Sequence, residues 1–106
     1  MFIALYEFKI KEGMSGTFQR SWLKTTQGIY HEFGSLGSRL HKTEDFLTFV
    51  AYAQWPSKEQ WVKDKGDLGD EYFSARSEMW KCIADSRTVY EMEVTDDYLH
   101  SLPFVV

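Results

Sequence analysis

Phe2–Ile10, FIALYEFKI, decides the fold. β-branched and aromatic residues dominate the run, so it reads as a strand. Phe2, Ala4, Tyr6, Phe8 and Ile10 fall on one face, and Ile3, Leu5, Glu7 and Lys9 on the other. Both faces are apolar at the start, and a strand apolar on both faces is covered on both faces. Residues 46–55, FLTFVAYAQW, repeat the pattern, with Phe46, Thr48, Val50, Tyr52 and Gln54 opposite Leu47, Phe49, Ala51, Ala53 and Trp55.

Working outward, KEG at 11–13 is a turn and residues 15–33 form a long helix with Ser15 as its N-cap. Phe18, Trp22, Thr25, Ile29 and Phe33 share one face at spacings of three and four. Gly34 closes the helix. A second strand over 36–42 is joined to the third through Thr43, Glu44 and Asp45, a hairpin. Pro56 ends the third strand. Ser57 with Gln60 forms a capping box for a short helix carrying Trp61 and Val62. Gly66 to Gly69 break that helix, and Asp70 caps another reaching about Ala84, with Phe73, Ser77, Trp80 and Ile83 or Ala84 on one face. Residues 86–94 are the last strand, Thr88, Tyr90, Met92 and Val94 alternating with Val89, Glu91 and Glu93.

The order β, α, β, β, α, β predicts an α+β, ferredoxin-like βαββαβ fold: a four-stranded antiparallel sheet with helices on one face. The other face, rich in apolar side chains, calls for a second copy packed sheet to sheet as a homodimer. The apolar tail 96–106, ending LPFVV, packs on its own or the partner subunit.

The chain of 106 residues makes one domain, with its core over about 2–95. A net charge of −4 without a basic run argues against nucleic acid. No apolar stretch approaches a membrane span, and the first residues do not read as a signal peptide. The single Cys82 can form neither an intrachain disulfide nor a metal cluster, and it reads as a packed small hydrophobe. Cytoplasmic location is the resulting expectation. His31, His41 and His100 show no metal-ligand spacing, so no metal site is expected.

Aromatic residues make up 17% of the chain, more than a small core readily absorbs. Tyr6, Trp22, Tyr52, Trp55, Trp61, Phe73 and Trp80 are candidates to line a pocket between sheet and helices for a small apolar or aromatic molecule; tight core packing is the alternative. Arg39 and His41, two apart on one strand face, could hold a phenolic anion and accept its proton. Equally, they could lie in water or pair with Glu44, Asp45 or Glu91.

The opening strand, the helix end HEFGSLGSRLHK, the hairpin strand leading into YAQWPSKEQW, and the closing strand after a Trp-bearing helix carry a resemblance. Over residues 2 to about 95 the chain resembles the antibiotic biosynthesis monooxygenase family, whose members are dimeric α+β barrels. Some of its members are cofactor-free oxygenases of quinols and anthrones, others degrade haem, and related barrels only bind. The resemblance implies a cofactor-independent monooxygenase acting on an aromatic or quinol-type substrate, with no cofactor. Tyr6, Tyr52 and Trp55 would hold the ring, Arg39 would stabilise the oxyanion and His41 would be the base. A non-catalytic binding or stress-related dimer is the alternative. Haem fits least, because the Asn, Trp and His of the haem-degrading branch fall on Tyr6 or Glu7, Asp64 and Ser77.

Overall fold

The computed structural model describes residues 1–63 and 68–99. Asp64, Gly66, Asp67, His100 and the LPFVV end lie outside the described residues. The elements are β1 (Phe2–Ile10), α1 (Ser15–Phe33), β2 (Gly37–Lys42), β3 (Thr48–Trp55), α2 (Lys58–Val62), α3 (Asp70–Lys81) and β4 (Ile83–Glu93). All pairings are antiparallel and the sheet order is β2-β3-β1-β4. This is the expected ferredoxin-like arrangement, with β1 held between β3 and β4.

Helix α1 starts from Met14, not from a Ser15 cap: Met14 makes no side-chain capping bond but packs against the core. Packing therefore does what capping was expected to do, and the Ser15 hydroxyl turns to the Phe46 carbonyl at 3.5 Å. Gly34 ends the helix in the left-handed region (φ 76°), which costs glycine little. The capping box at Ser57 is half formed. The Ser57 hydroxyl accepts from the Gln60 amide at 3.1 Å, but the Gln60 side chain donates to the Phe33 carbonyl at 2.8 Å, so it caps the end of α1.

Two boundaries differ from the sequence expectation. Strand β3 begins at Thr48 because Asp45 holds 46–47 in the turn. Its carboxylate accepts from the amides of Leu47 (2.9 Å) and Thr48 (2.6 Å) and from the Thr48 hydroxyl (2.6 Å). Helix α3 ends at Lys81, and β4 begins at Ile83, where Ile83 pairs with Ile10. Cys82 between them is buried and free, as read, and its thiol donates to the Glu78 carbonyl at 3.4 Å. An irregularity between Leu5 and Tyr6 shifts the register of β4. Tyr90 pairs with Leu5 but Thr88 with Tyr6, so Thr88 turns to the helix face while Tyr90 and Met92 stay on the outer face.

Helices α1 and α3 pack closely at Gly28. A methyl group there would stand 2.5 Å from Cγ of Tyr72. The side of α3 nearest the core accordingly carries Tyr72, Ala75 and Met79; of the expected Phe73, Ser77 and Trp80, Ser77 is half-buried and Phe73 and Trp80 are exposed. Met79 is buried, whereas Phe73 is 61% exposed.

The Asp45 bonds hold its carboxyl down at about 2, the Thr48 hydroxyl contributing most. A carboxyl lowered on folding adds stability above its ordinary value near 4 and loses it as pH falls through about 2. Asp45→Asn should therefore melt below the parent protein at pH 7, with the gap narrowing between about pH 4 and pH 2. Thermal melts across that range check this; a gap independent of pH would show that the charge is not what holds the turn.

Candidate active site

The register of β1 and β3 sets large side chains at both ends of the helix face and small ones in the middle. Phe2 lies opposite Trp55 and Phe8 opposite Phe49, but Ala4 lies opposite Ala53 and Tyr6 opposite Ala51. The core consequently forms two clusters. One gathers Phe8, Phe18, Phe49, Met79 and Cys82, the other Phe2, Ala4, Ala53 and Trp55; Tyr6 packs against both.

Between the clusters lies a cavity of about 430 Å³. Ala51 and Ala53 are its floor, and Tyr6, Phe8, Trp22, Ile29, Trp55 and Met79 its walls. Its exposed rim carries Arg76, Trp80, Ser86, Arg87 and Thr88. A sealed dry void of this volume would cost about 10 kcal/mol, comparable to the whole stability of a small domain. The rim opens to solvent, so water or a ligand can occupy the space.

The polar centre of the wall is Tyr6. The Trp61 indole N–H donates to its hydroxyl at 2.6 Å. Burial, with the nearby Glu91 carboxylate assisting against the Trp61 bond, raises the phenol above its ordinary value. Tyr6 therefore stays protonated at neutral pH and keeps its own O–H to donate. Glu91 is itself paired with Lys58 at 3.0 Å, and Glu93 lies 3.9 Å from the chain's amino terminus.

The structure divides the expected site residues between two faces of the sheet. Tyr6, Trp22, Trp55 and Trp80 line the cavity. Trp61 stands behind Tyr6 and stacks on Phe2 at 5.2 Å, and Phe73 points to solvent. Arg39, His41 and Tyr52 lie on the opposite, outer face: Arg39 pairs with Tyr52 and His41 with Val50. They border a separate hollow of about 370 Å³ with Leu36, Gln54 and Leu99. The His41 ring engages the Val50 carbonyl through Nδ1 at 3.0 Å, with no carboxylate at either Arg39 or His41 among the described residues. The sequence reading missed Ala51, Ala53, Met79, Thr88 and Arg76. Alternation alone could have flagged the alanines, since they stand where a strand core usually carries bulk. Among the described residues no group of His, Cys, Asp and Glu is placed to hold a metal ion, and no helix is long and apolar enough to cross a membrane.

Comparison with solved structures places this arrangement. A structure described as an antibiotic biosynthesis monooxygenase matches with a TM-score of 0.68 at 13% identity, covering 91% of this chain and 100% of its own. This chain has the fold of the antibiotic biosynthesis monooxygenases. SnoaB, a cofactor-independent oxygenase from Streptomyces nogalater, matches with a TM-score of 0.72 at 11% identity, over 93% of this chain and 97% of its own. Rv0793 from Mycobacterium tuberculosis matches with 0.68 at 11%, over 92% and 98%. At such identities the likeness is one of fold. No protein-family model and no curated protein matches the sequence.

Filling the floor tests the cavity directly. Ala53→Phe should abolish binding of an apolar fluorescent dye while the far-ultraviolet circular dichroism stays that of the parent, because the added ring enters existing space. Undiminished dye binding would place the dye elsewhere.

Proposed function

We propose that the cavity binds a small aromatic or quinol-type molecule and that the protein oxygenates it without a cofactor. The observation that carries this reading is the aromatic cavity with the half-buried Tyr6, its hydroxyl held by the Trp61 indole, in its wall. Ring faces suit a flat apolar ligand. A phenolic oxygen of that ligand would accept from Tyr6 O–H. The Trp61 indole polarises that O–H, and the bond is strongest when the ligand oxygen is an anion. Such an anion can pass an electron to dioxygen. In the net reaction a ring CH₂ becomes C=O, one oxygen atom is retained and the other leaves as water. The fold shared with a cofactor-independent oxygenase supports this chemistry.

One observation favours a second reading, a binding protein without turnover. Among the described residues the cavity lining includes neither histidine nor carboxylate, so these residues offer no evident acceptor for the substrate proton.

Oxygen uptake with a panel of hydroquinones and anthrones, without added cofactor, separates the two. Uptake is expected, and Tyr6→Phe should lower it about 10²-fold. No uptake alongside persistent dye binding would establish the binding protein. A 10²-fold fall on changing Arg39 and His41 to Ala would move the chemistry to the outer hollow.

The proposal extends to the assembly and its setting. The outer face carries Leu5, Val50, Tyr52, Tyr90 and Met92, with Tyr90 61% exposed. A second copy packed on this face would bury them. A reducing, cytoplasmic setting accords with the free buried Cys82. With a chain mass of 12.5 kDa, sedimentation should give twice that value. Tyr90→Arg should shift it to the single-chain value; a monomeric parent would overturn the dimer.

A further inference from the structure

We propose that the ligand of the cavity carries a carboxylate as well as a ring, and that Arg76 at the mouth holds it. The inference rests on the cavity reading above and narrows the ligand to an aromatic acid.

Arg76 stands at the exposed rim of the cavity, on α3. It lies four residues after Tyr72 and three before Met79, at the edge of the face that α3 turns to the core. Tyr72 lies against Gly28, and Met79 is buried. Between these packed neighbours the helix presents a guanidinium to the cavity. Among the described residues no carboxylate lies within ion-pairing distance of Arg76, whereas Arg87 on the same rim is matched by Glu7 at 3.3 Å. Among the described residues the lining contains two arginines and not one acidic residue, in a chain with 16 acids and 12 bases. An always-charged fork beside an apolar wall, with no carboxylate paired to it among the described residues, suits a planar carboxylate, which it can grip through two parallel hydrogen bonds. The two polar features then address different parts of one molecule. Tyr6 in the wall meets the ring's oxygen, and Arg76 at the rim meets the acid group, which remains close to water and is cheaply desolvated.

The test compares a naphthalene carboxylate with the corresponding carboxamide, nearly equal in size and shape, by quenching of tryptophan fluorescence in the full chain. The carboxylate should bind about tenfold tighter at low salt, the scale of one rim-exposed charge contact, and the preference should shrink as salt rises. Arg76→Gln should erase the preference and Arg76→Lys keep part of it. Equal binding by the parent, or a preference that survives Arg76→Gln, overturns the inference. The cavity reading then still stands if Ala53→Phe abolishes carboxamide binding. If neither compound binds, both fall.

Discussion

The structure turns on the middle of the β1–β3 ladder, where alanine faces alanine. Antiparallel pairing fixes which side chains meet, and here it stacks bulk at both ends of one sheet face and removes it from the centre. Helices resting on such a face are propped by Phe8, Phe18 and Phe49 at one end and by Phe2 and Trp55 at the other. They cannot close onto the centre without losing one of these contacts. The cavity is thus a result of register. A slip by one residue would carry the alanines to the outer face and close it.

The irregularity in β4 does similar work on the other flank. Without it, the alternation of Thr88 with Tyr90 would hold all of β4 to one pattern, and Thr88 would share the outer face with Tyr90. The extra residue brings Thr88 to the cavity rim and leaves Tyr90 outside. One local departure from ideal pairing therefore serves both faces of the sheet.

Most of the architecture was legible in the sequence because periodicity reports burial, and burial follows the fold. The bounds of β1 and α1, the hairpin and the Gly34 cap are all stated by local pattern. The departures arise where tertiary contacts outweigh that pattern. Ile83 and Ala84 continue a helical reading, yet pairing with β1 makes them strand. Phe73 and Trp80 look like the inward face of α3 because they are large, but the gap left by Gly28 receives Tyr72, and Phe73 is turned to solvent. Arg39 and His41 do share a face, as alternation requires. Which face they share was illegible, since β3 is apolar on both sides and nothing local marks the side on which the helices settle.

The central place of β1 also sets an order of events during synthesis. Glu7 meets Arg87 eighty residues further along the chain. As the chain emerges from the ribosome, β1 can pair early with β3. Its other edge, beside residues as apolar as Phe2, Ile3 and Leu5, stays open until β4 is made. From the completion of β3 at Trp55 until β4 is made at Ile83–Glu93, the protein is a three-stranded intermediate with an unpaired apolar edge. Slow passage through residues 56–82, or a stop within them, would leave a species primed to pair with other nascent chains. Its yield in a cell should depend as much on the speed of elongation there as on the stability of the finished fold.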